Sequence, residues 1–239
     1  MAPLVAGIAV LNAFGLLVAA LGERMSPRVR LGGVLRSGAR PRSDRLRFLL
    51  AWLRDPLRIA AVAPSGRALA RLMTAEISSK SGPVVELGPG TGPFTRALLE
   101  RGVREADIAL VEFEEGFART LSLAFPEAHT ISVDAAALGD IELFGGRSAG
   151  AVVSGLPLLS MPRAQVEAIL AAAFGKLSAD GAFYQFTYGP RCPVPDELLV
   201  RLGLDAERIG GTLANLPPAA VYRLRRASQG AGTPGSLAR

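Results

Sequence analysis

The stretch PVVELGPGTGPFTRALLERG, residues 83–102, holds the densest chemistry in the chain. Val84 and Val85 read as a buried strand, Gly88, Gly90 and Gly92 as a tight loop, and Pro93 as the opening of a helix over 94–101. Glycines let a backbone approach a ligand closely, and a helix N-terminus offers N–H donors. The spacing is E-L-G-x-G-x-G. It is not the G-x-G-x-x-G of dinucleotide binders, and no Gly-Lys-Ser/Thr follows as in a P-loop. Glu86, at the strand end, repels a phosphate and attracts an amine, so a ligand with a cationic amino-acid head fits the loop. Two more acids follow at strand ends. Glu112 closes a buried strand over 108–111, where a carboxylate can accept both hydroxyls of a ribose. Asp134 closes a strand over 130–133, where it can hold the exocyclic amine of an adenine.

Amino-acid head, ribose and adenine together describe S-adenosylmethionine, which leaves as S-adenosylhomocysteine once its methyl is spent. This order of parts resembles the class I methyltransferase fold. The elements needed to position it are legible as alternating strands and helices. A helix covers 115–125, a fourth strand 151–154, a helix 163–176 closed by SADG, a fifth strand 182–187 and a short helix 196–202. RIGG and AAVYRLRR supply a final antiparallel pair. The expectation is an α/β, Rossmann-like, seven-stranded sheet with helices on both faces and an antiparallel last strand. N-terminal apolar and amphipathic helices precede it. In chain order, 1–24 form an apolar segment and possible anchor, 25–60 a basic linker with a membrane-binding helix, 61–227 the methyltransferase domain and 228–239 a disordered tail.

The chain has 239 residues and a net charge of +6. Between Arg24 and Arg71 it carries twelve Arg against two acids, Asp44 and Asp55, more than the whole net charge. Such a block suits an anionic partner, nucleic acid or a membrane surface. Residues 4–21 are free of charge, at the short edge of a membrane-spanning length, and Arg24, Arg28 and Arg30 follow. A start at Met25 is the other reading of this segment. In SDRLRFLLAWLRDPLR, Leu46, Leu49, Leu50 and Leu53 share one helix face that Phe48 and Trp52 extend, with Arg45, Arg47 and Arg54 on or beside the polar side. That is the pattern of an interfacial helix, Trp and Leu in the acyl boundary and Arg on phosphates. The single cysteine, Cys192, rules out an internal disulfide and reads as a bystander.

Several stretches together resemble the bacterial phospholipid N-methyltransferases: PLRIAAVAPSG, the glycine loop, VVSGLPLLSMP, QFTYGP and NLPPAAVYRLRR, over roughly residues 48–226. The resemblance implies stepwise methylation of phosphatidylethanolamine towards phosphatidylcholine, with S-adenosylmethionine as donor. It implies peripheral attachment at the cytoplasmic face of the inner membrane through the amphipathic helix; the apolar residues 1–22 depart from the family pattern, and their own length allows one N-terminal transmembrane helix instead. It assigns Glu86, Gly88, Gly90 and Gly92 to the methionine part, Glu112 to ribose and Asp134 to adenine. The expected partners are the phospholipid and an anionic membrane surface, with no nucleic acid and no metal, and the protein a monomer.

For the amine, Tyr188 and Tyr184 could hold methylated ammonium by cation–π attraction, and Ser154 could accept its hydrogen bond. Trp52, Arg47, Arg54 and Arg58 would meet the membrane, Arg191 the lipid phosphate, and Leu156 and Leu158 the acyl chains. His129, the only histidine, lies away from the expected amine. Two other readings compete. An RNA adenine N6-dimethyltransferase shares the fold, but places a stacking aromatic where this chain has Leu158. A non-catalytic membrane-remodelling protein would use the Arg/Trp helix and leave an intact donor site unexplained.

Overall fold

The structure, a computed structural model, describes residues 64–188, 191–213 and 218–227. The apolar segment 4–21, the amphipathic stretch with Arg47, Trp52, Arg54 and Arg58, and the 228–239 tail lie outside these residues. Helix α1 spans Pro64–Met73, β1 Val84–Leu87, α2 Pro93–Glu100, β2 Ile108–Val111, α3 Glu115–Ala124, β3 His129–Ile131 and β4 Ala149–Ser154. Helix α4 spans Arg163–Lys176, β5 Leu177–Thr187, α5 Asp196–Leu202, β6 Leu204–Thr212 and β7 Ala219–Arg226.

The strands form one sheet in the order β3-β2-β1-β4-β5-β7-β6. β3, β2, β1, β4 and β5 run parallel, and β7 is antiparallel to both β5 and β6. β1 and β2 are short runs buried on both faces, as parallel strands covered by helices must be. Alternation sends Val85, Leu87, Val152 and Phe183 into a core beneath α4 and α5. There α4 contributes Val166, Ile169, Leu170, Ala173 and Phe174, the i, i+3, i+4, i+7, i+8 stripe. Val84, Val153, Ala182 and Tyr184 face the other way, into a core with α1, α2 and α3. The fold is the doubly wound seven-stranded α/β sheet that the sequence implies.

Three boundaries differ from the sequence reading. Ser178–Gly181 do not stop a helix but belong to β5, whose pairing with β4 slips between Ala149 and Ala151. β6 is longer than RIGG, because β7 pairs along all of it and no apolar periodicity marks a half-exposed edge strand. β3 ends at Ile131, and Asp134 instead opens a 3-10 turn, Ala135–Asp140.

Candidate functional site

β1 lies between β2 and β4, where the chain's winding reverses direction across the sheet. Loops leaving the carboxyl ends of β1 and β4 diverge there and open a crevice, the usual ligand position in such sheets. Gly88, Gly90 and Gly92 fill it with φ of 65°, 55° and 76°, a left-handed run that side chains disfavour. Gly92 immediately precedes α2 and serves as its N-cap, so the loop delivers a helix N-terminus to the crevice.

The loop is laced to its neighbours. The Gly88 N–H donates to the Val111 carbonyl at 2.9 Å, and the Gly155 N–H to the Leu87 carbonyl at 2.8 Å. A Cβ built on Gly155 would stand 2.6 Å from the Gly88 carbonyl oxygen, and one on Gly88 would stand 2.8 Å from Leu156 Cδ2. The glycine loop and the Ser154–Pro157 corner therefore touch with no room for a side chain between them.

Glu86 is fully buried. Its Oε2 accepts the Thr95 hydroxyl at 2.6 Å, while Oε1 has no hydrogen-bond partner among the described residues. Burial pushes its carboxyl up to about 8, against the Thr95 hydrogen bonds that lower it, and Glu112 adds to the rise. Glu112 is held by two backbone donors, Gly90 N–H on Oε2 and Glu114 N–H on Oε1, each at 3.1 Å. It ties the end of β2 to the glycine loop, and its two oxygens keep lone pairs for further donors. Asp134 is exposed and caps the turn after it, accepting the Ala136 N–H on Oδ1 at 2.9 Å. Phe113, next to Glu112, is 72 % exposed at the same strand ends. Sequence reading passed over it. A phenylalanine directly after the acid that closes β2, where a buried strand gives way to a loop, was the available signal.

On the other side of the glycine loop is an apolar cleft of about 480 Å³ up to its open mouth. Leu156, Leu158, Leu159, Phe186, Tyr188 and Pro193 are among its walls. Gln185 shapes it. This buried side chain donates from Nε2 to the carbonyls of Leu156 at 3.0 Å and Phe186 at 2.9 Å, bracing the corner after β4 against β5. Gln185 was also missed, although a glutamine in the otherwise apolar run AFYQF was its mark.

The expected amine residues separate. Tyr188 lines the cleft, half-buried, edge-on to Phe186 at 5.3 Å between ring centroids. Ser154 is buried at the end of β4, its Oγ accepting the Leu156 N–H at 3.3 Å. Tyr184 is not brought to the cleft. Alternation along β5 turns it into the core under α1, where its hydroxyl donates to Glu76 Oε2 at 3.1 Å. Burial pushes that phenol up to about 12, and the Glu76 carboxylate pushes the same way. Glu76 is paired in turn with Arg223 at 2.9 Å. Leu158 forms cleft floor rather than membrane contact: it is 2 % exposed and packs in the core beneath α4. Leu156 is half-buried against the same core, Leu159 is largely exposed, and Arg191 is exposed beyond β5. His129 sits at the start of β3, its Nε2 3.1 Å from the Ala106 carbonyl, far from these loops. Among the described residues no cluster of His, Cys, Asp and Glu could hold a metal ion, and no helix is long and apolar enough to cross a membrane.

The chain is similar to the ornithine lipid N-methyltransferase of Singulisphaera acidiphila, with 30 % identity over 183 residues, 74 % of this chain and 94 % of the relative. Among solved structures it resembles a TehB-like SAM-dependent methyltransferase from Corynebacterium glutamicum, with TM-score 0.53 and 17 % identity over 76 % of this chain and 97 % of that one. It also resembles the CcbJ methyltransferase from Streptomyces caelestis, with TM-score 0.53 and 17 % identity over 71 % and 92 %. The glycopeptide N-methyltransferase MtfA in complex with S-adenosylmethionine gives 0.51 and 15 % over 69 % and 95 %. At these identities the structures share the fold. No protein-family model matches the chain.

Proposed function

Because this chain belongs to the family of lipid N-methyltransferases, we propose that it moves methyl groups from S-adenosylmethionine to the amine head of a membrane lipid, stepwise from phosphatidylethanolamine towards phosphatidylcholine. The observation that carries the reading is the contact of Gly88 with Gly155 and Leu156, which joins a donor-type glycine loop to an apolar cleft. The donor supplies an electrophilic methyl on a sulfonium, and the chain aligns an amine with it, which is most of what an in-line displacement needs.

The residues present fit that donor. Gly88, Gly90 and Gly92 leave room for its methionine chain, and the buried Glu86 oxygen that has no hydrogen-bond partner among the described residues suits its ammonium. Glu112 suits the ribose, and Asp134 with the exposed face of Phe113 suits the adenine. On the acceptor side Tyr188 presents a ring that attracts methylated ammonium, by ~0.5–2 kcal/mol. Ser154 lies where β4 meets the loop and offers a hydroxyl oxygen to the amine. Leu156 and Leu159 border the acyl chains, and Arg191 meets the anionic part of the head group. The enzyme would work at the cytoplasmic face of the inner membrane, anchored by Trp52, Arg47, Arg54 and Arg58 on anionic lipid. Leu158, where a base-methylating enzyme stacks an aromatic, is buried, which favours lipid over nucleic acid.

The relative favours a second substrate, the ornithine lipid, whose head also joins a primary amine to an anionic group. Mass spectrometry of lipids from a host that makes both amines but methylates neither separates them. Successive methyl additions on phosphatidylethanolamine are expected. Additions only on ornithine lipid would move the substrate to that lipid, and label in neither lipid refutes the function.

A further inference from the structure

Exposed apolar side chains are unevenly placed on the described residues. Five large ones are mostly exposed: Phe113, Leu123, Leu159, Val200 and Leu213. Phe113, Leu159 and Leu213 lie at one edge of the sheet. Phe113 follows β2 and Leu159 follows β4. Leu213 follows β6, which runs parallel to β5 because each is antiparallel to β7. Thr187, the last residue of β5, and Gly211 both stand opposite Ala220, so Thr212 is level with Tyr188 and Leu213 lies one residue beyond it. The opposite edge carries exposed Arg104, Arg147, Asp180 and Asp205, whereas the exposed acids of the carboxyl edge, Asp134 and Glu115, follow β3 and β2, at the end of the sheet away from the cleft.

Leu159 and Leu213 flank the cleft along the strand order, one on the β4 side and one on the β6 side, and are 64 % and 89 % exposed. Arg191 is exposed between them in chain order, at the end of β5. Two isolated leucines on a water-facing surface need no explanation. Two leucines and an arginine around the mouth of an apolar cleft form the polarity pattern of an interface, apolar tips with cationic support for anionic head groups.

We propose that this carboxyl edge is itself a docking surface for an anionic lipid bilayer, with Leu159 and Leu213 entering the acyl boundary on either side of the cleft mouth. Its residues are other than those of the amphipathic stretch around Trp52, and it rests on the lipid substrate proposed above. Docked this way, the cleft opens onto the bilayer, and an amine lipid reaches Tyr188 by sliding in without passing through water.

The test uses the full chain and Leu213→Glu, an exposed position outside the site. One substrate is phosphatidylethanolamine in vesicles with phosphatidylglycerol. The other is a short-chain phosphatidylethanolamine dissolved as monomers. The variant is expected to methylate vesicle lipid about tenfold more slowly, the scale of one leucine leaving an apolar environment, and to methylate the dissolved lipid at the native rate. Leu213→Trp is expected to keep or raise the vesicle rate. Co-sedimentation with the same vesicles, which needs no turnover, is expected to fall for the Glu variant alone. Equal loss on both substrates, no loss on either, or unchanged sedimentation overturns the docking surface. Should the native chain methylate neither lipid, the proposed substrate fails, and sedimentation alone decides the docking surface.

Discussion

Glu86 gives a prediction whose size can be worked from the structure. Its carboxyl is buried, satisfied on one oxygen only, and pushed from an ordinary 4.5 up to about 8. The donor-free protein therefore holds Glu86 protonated at pH 6.5, where an α-amino group is still a cation. If the donor's ammonium meets Glu86, the carboxyl must ionise to receive it, and binding releases a proton. Below pH 8, Glu86 makes donor affinity rise close to tenfold per pH unit. Calorimetry of donor binding in two buffers of different ionisation enthalpy counts the protons. Comparison with Glu86→Gln cancels the donor's own amine. The excess release of the native protein over the variant is expected to be about one at pH 6.5 and about half at pH 8.

Stability carries the same signature. A carboxyl raised on folding stabilises fully below its unfolded value of 4.5, and that contribution is lost as pH rises through 8. The shift is worth about 5 kcal/mol, so Glu86→Gln should gain stability over the native chain between pH 5 and 8 in donor-free denaturation. Equal proton release from both proteins at pH 6.5 refutes the ammonium role and leaves Glu86 as a buried acceptor for Thr95.

Three further outcomes follow from the same geometry. Glu112→Ala removes the acceptor of the Gly90 N–H and the carboxylate proposed for the ribose together, so donor affinity should fall by about 2 kcal/mol; an unchanged donor Kd would make the ribose assignment wrong. Tyr188→Ala should leave donor Kd within about twofold while kcat/KM for lipid falls roughly threefold to thirtyfold, the range of a lost cation–π contact; equal losses of donor and lipid binding would move Tyr188 out of the amine site. Gly155→Ala forces a methyl against the Gly88 carbonyl, a backbone atom that cannot swing aside, and should cost about 1–3 kcal/mol in thermal denaturation and weaken donor binding without touching the donor; native stability would mean that the two loops part freely.

The glycine loop was legible because its signals are local. A strand, three glycines and a helix start occupy ten residues, and positive φ demands glycine wherever the fold places the loop. Helix α4 forms over the residues the sequence indicated, Arg163–Lys176, but its apolar residues run almost all round it, and packing selects Val166, Ile169, Leu170, Ala173 and Phe174 as the buried stripe. The cleft was harder. Tyr184 and Phe186 share a face of β5, yet one ends on Glu76 beneath α1 and the other in the cleft wall. Leu158 and Leu159 are neighbours, one in the core and one in solvent, because a single 3-10 turn separates their directions.

The sequence by itself determined the doubly wound sheet, the glycine loop and the acids at three strand ends or just beyond, since hydrophobic period and glycine conformation act within a few residues. Tertiary structure alone decided what stands against that loop. Strand order brings Gly88, Glu112, Gly155 and Gln185 together from four separate strands. It also sets Leu213 at the same edge as the cleft. Neither placement follows from chain-local pattern, because a strand's period fixes which residues alternate but not which neighbours it pairs with or which face each layer of helices covers.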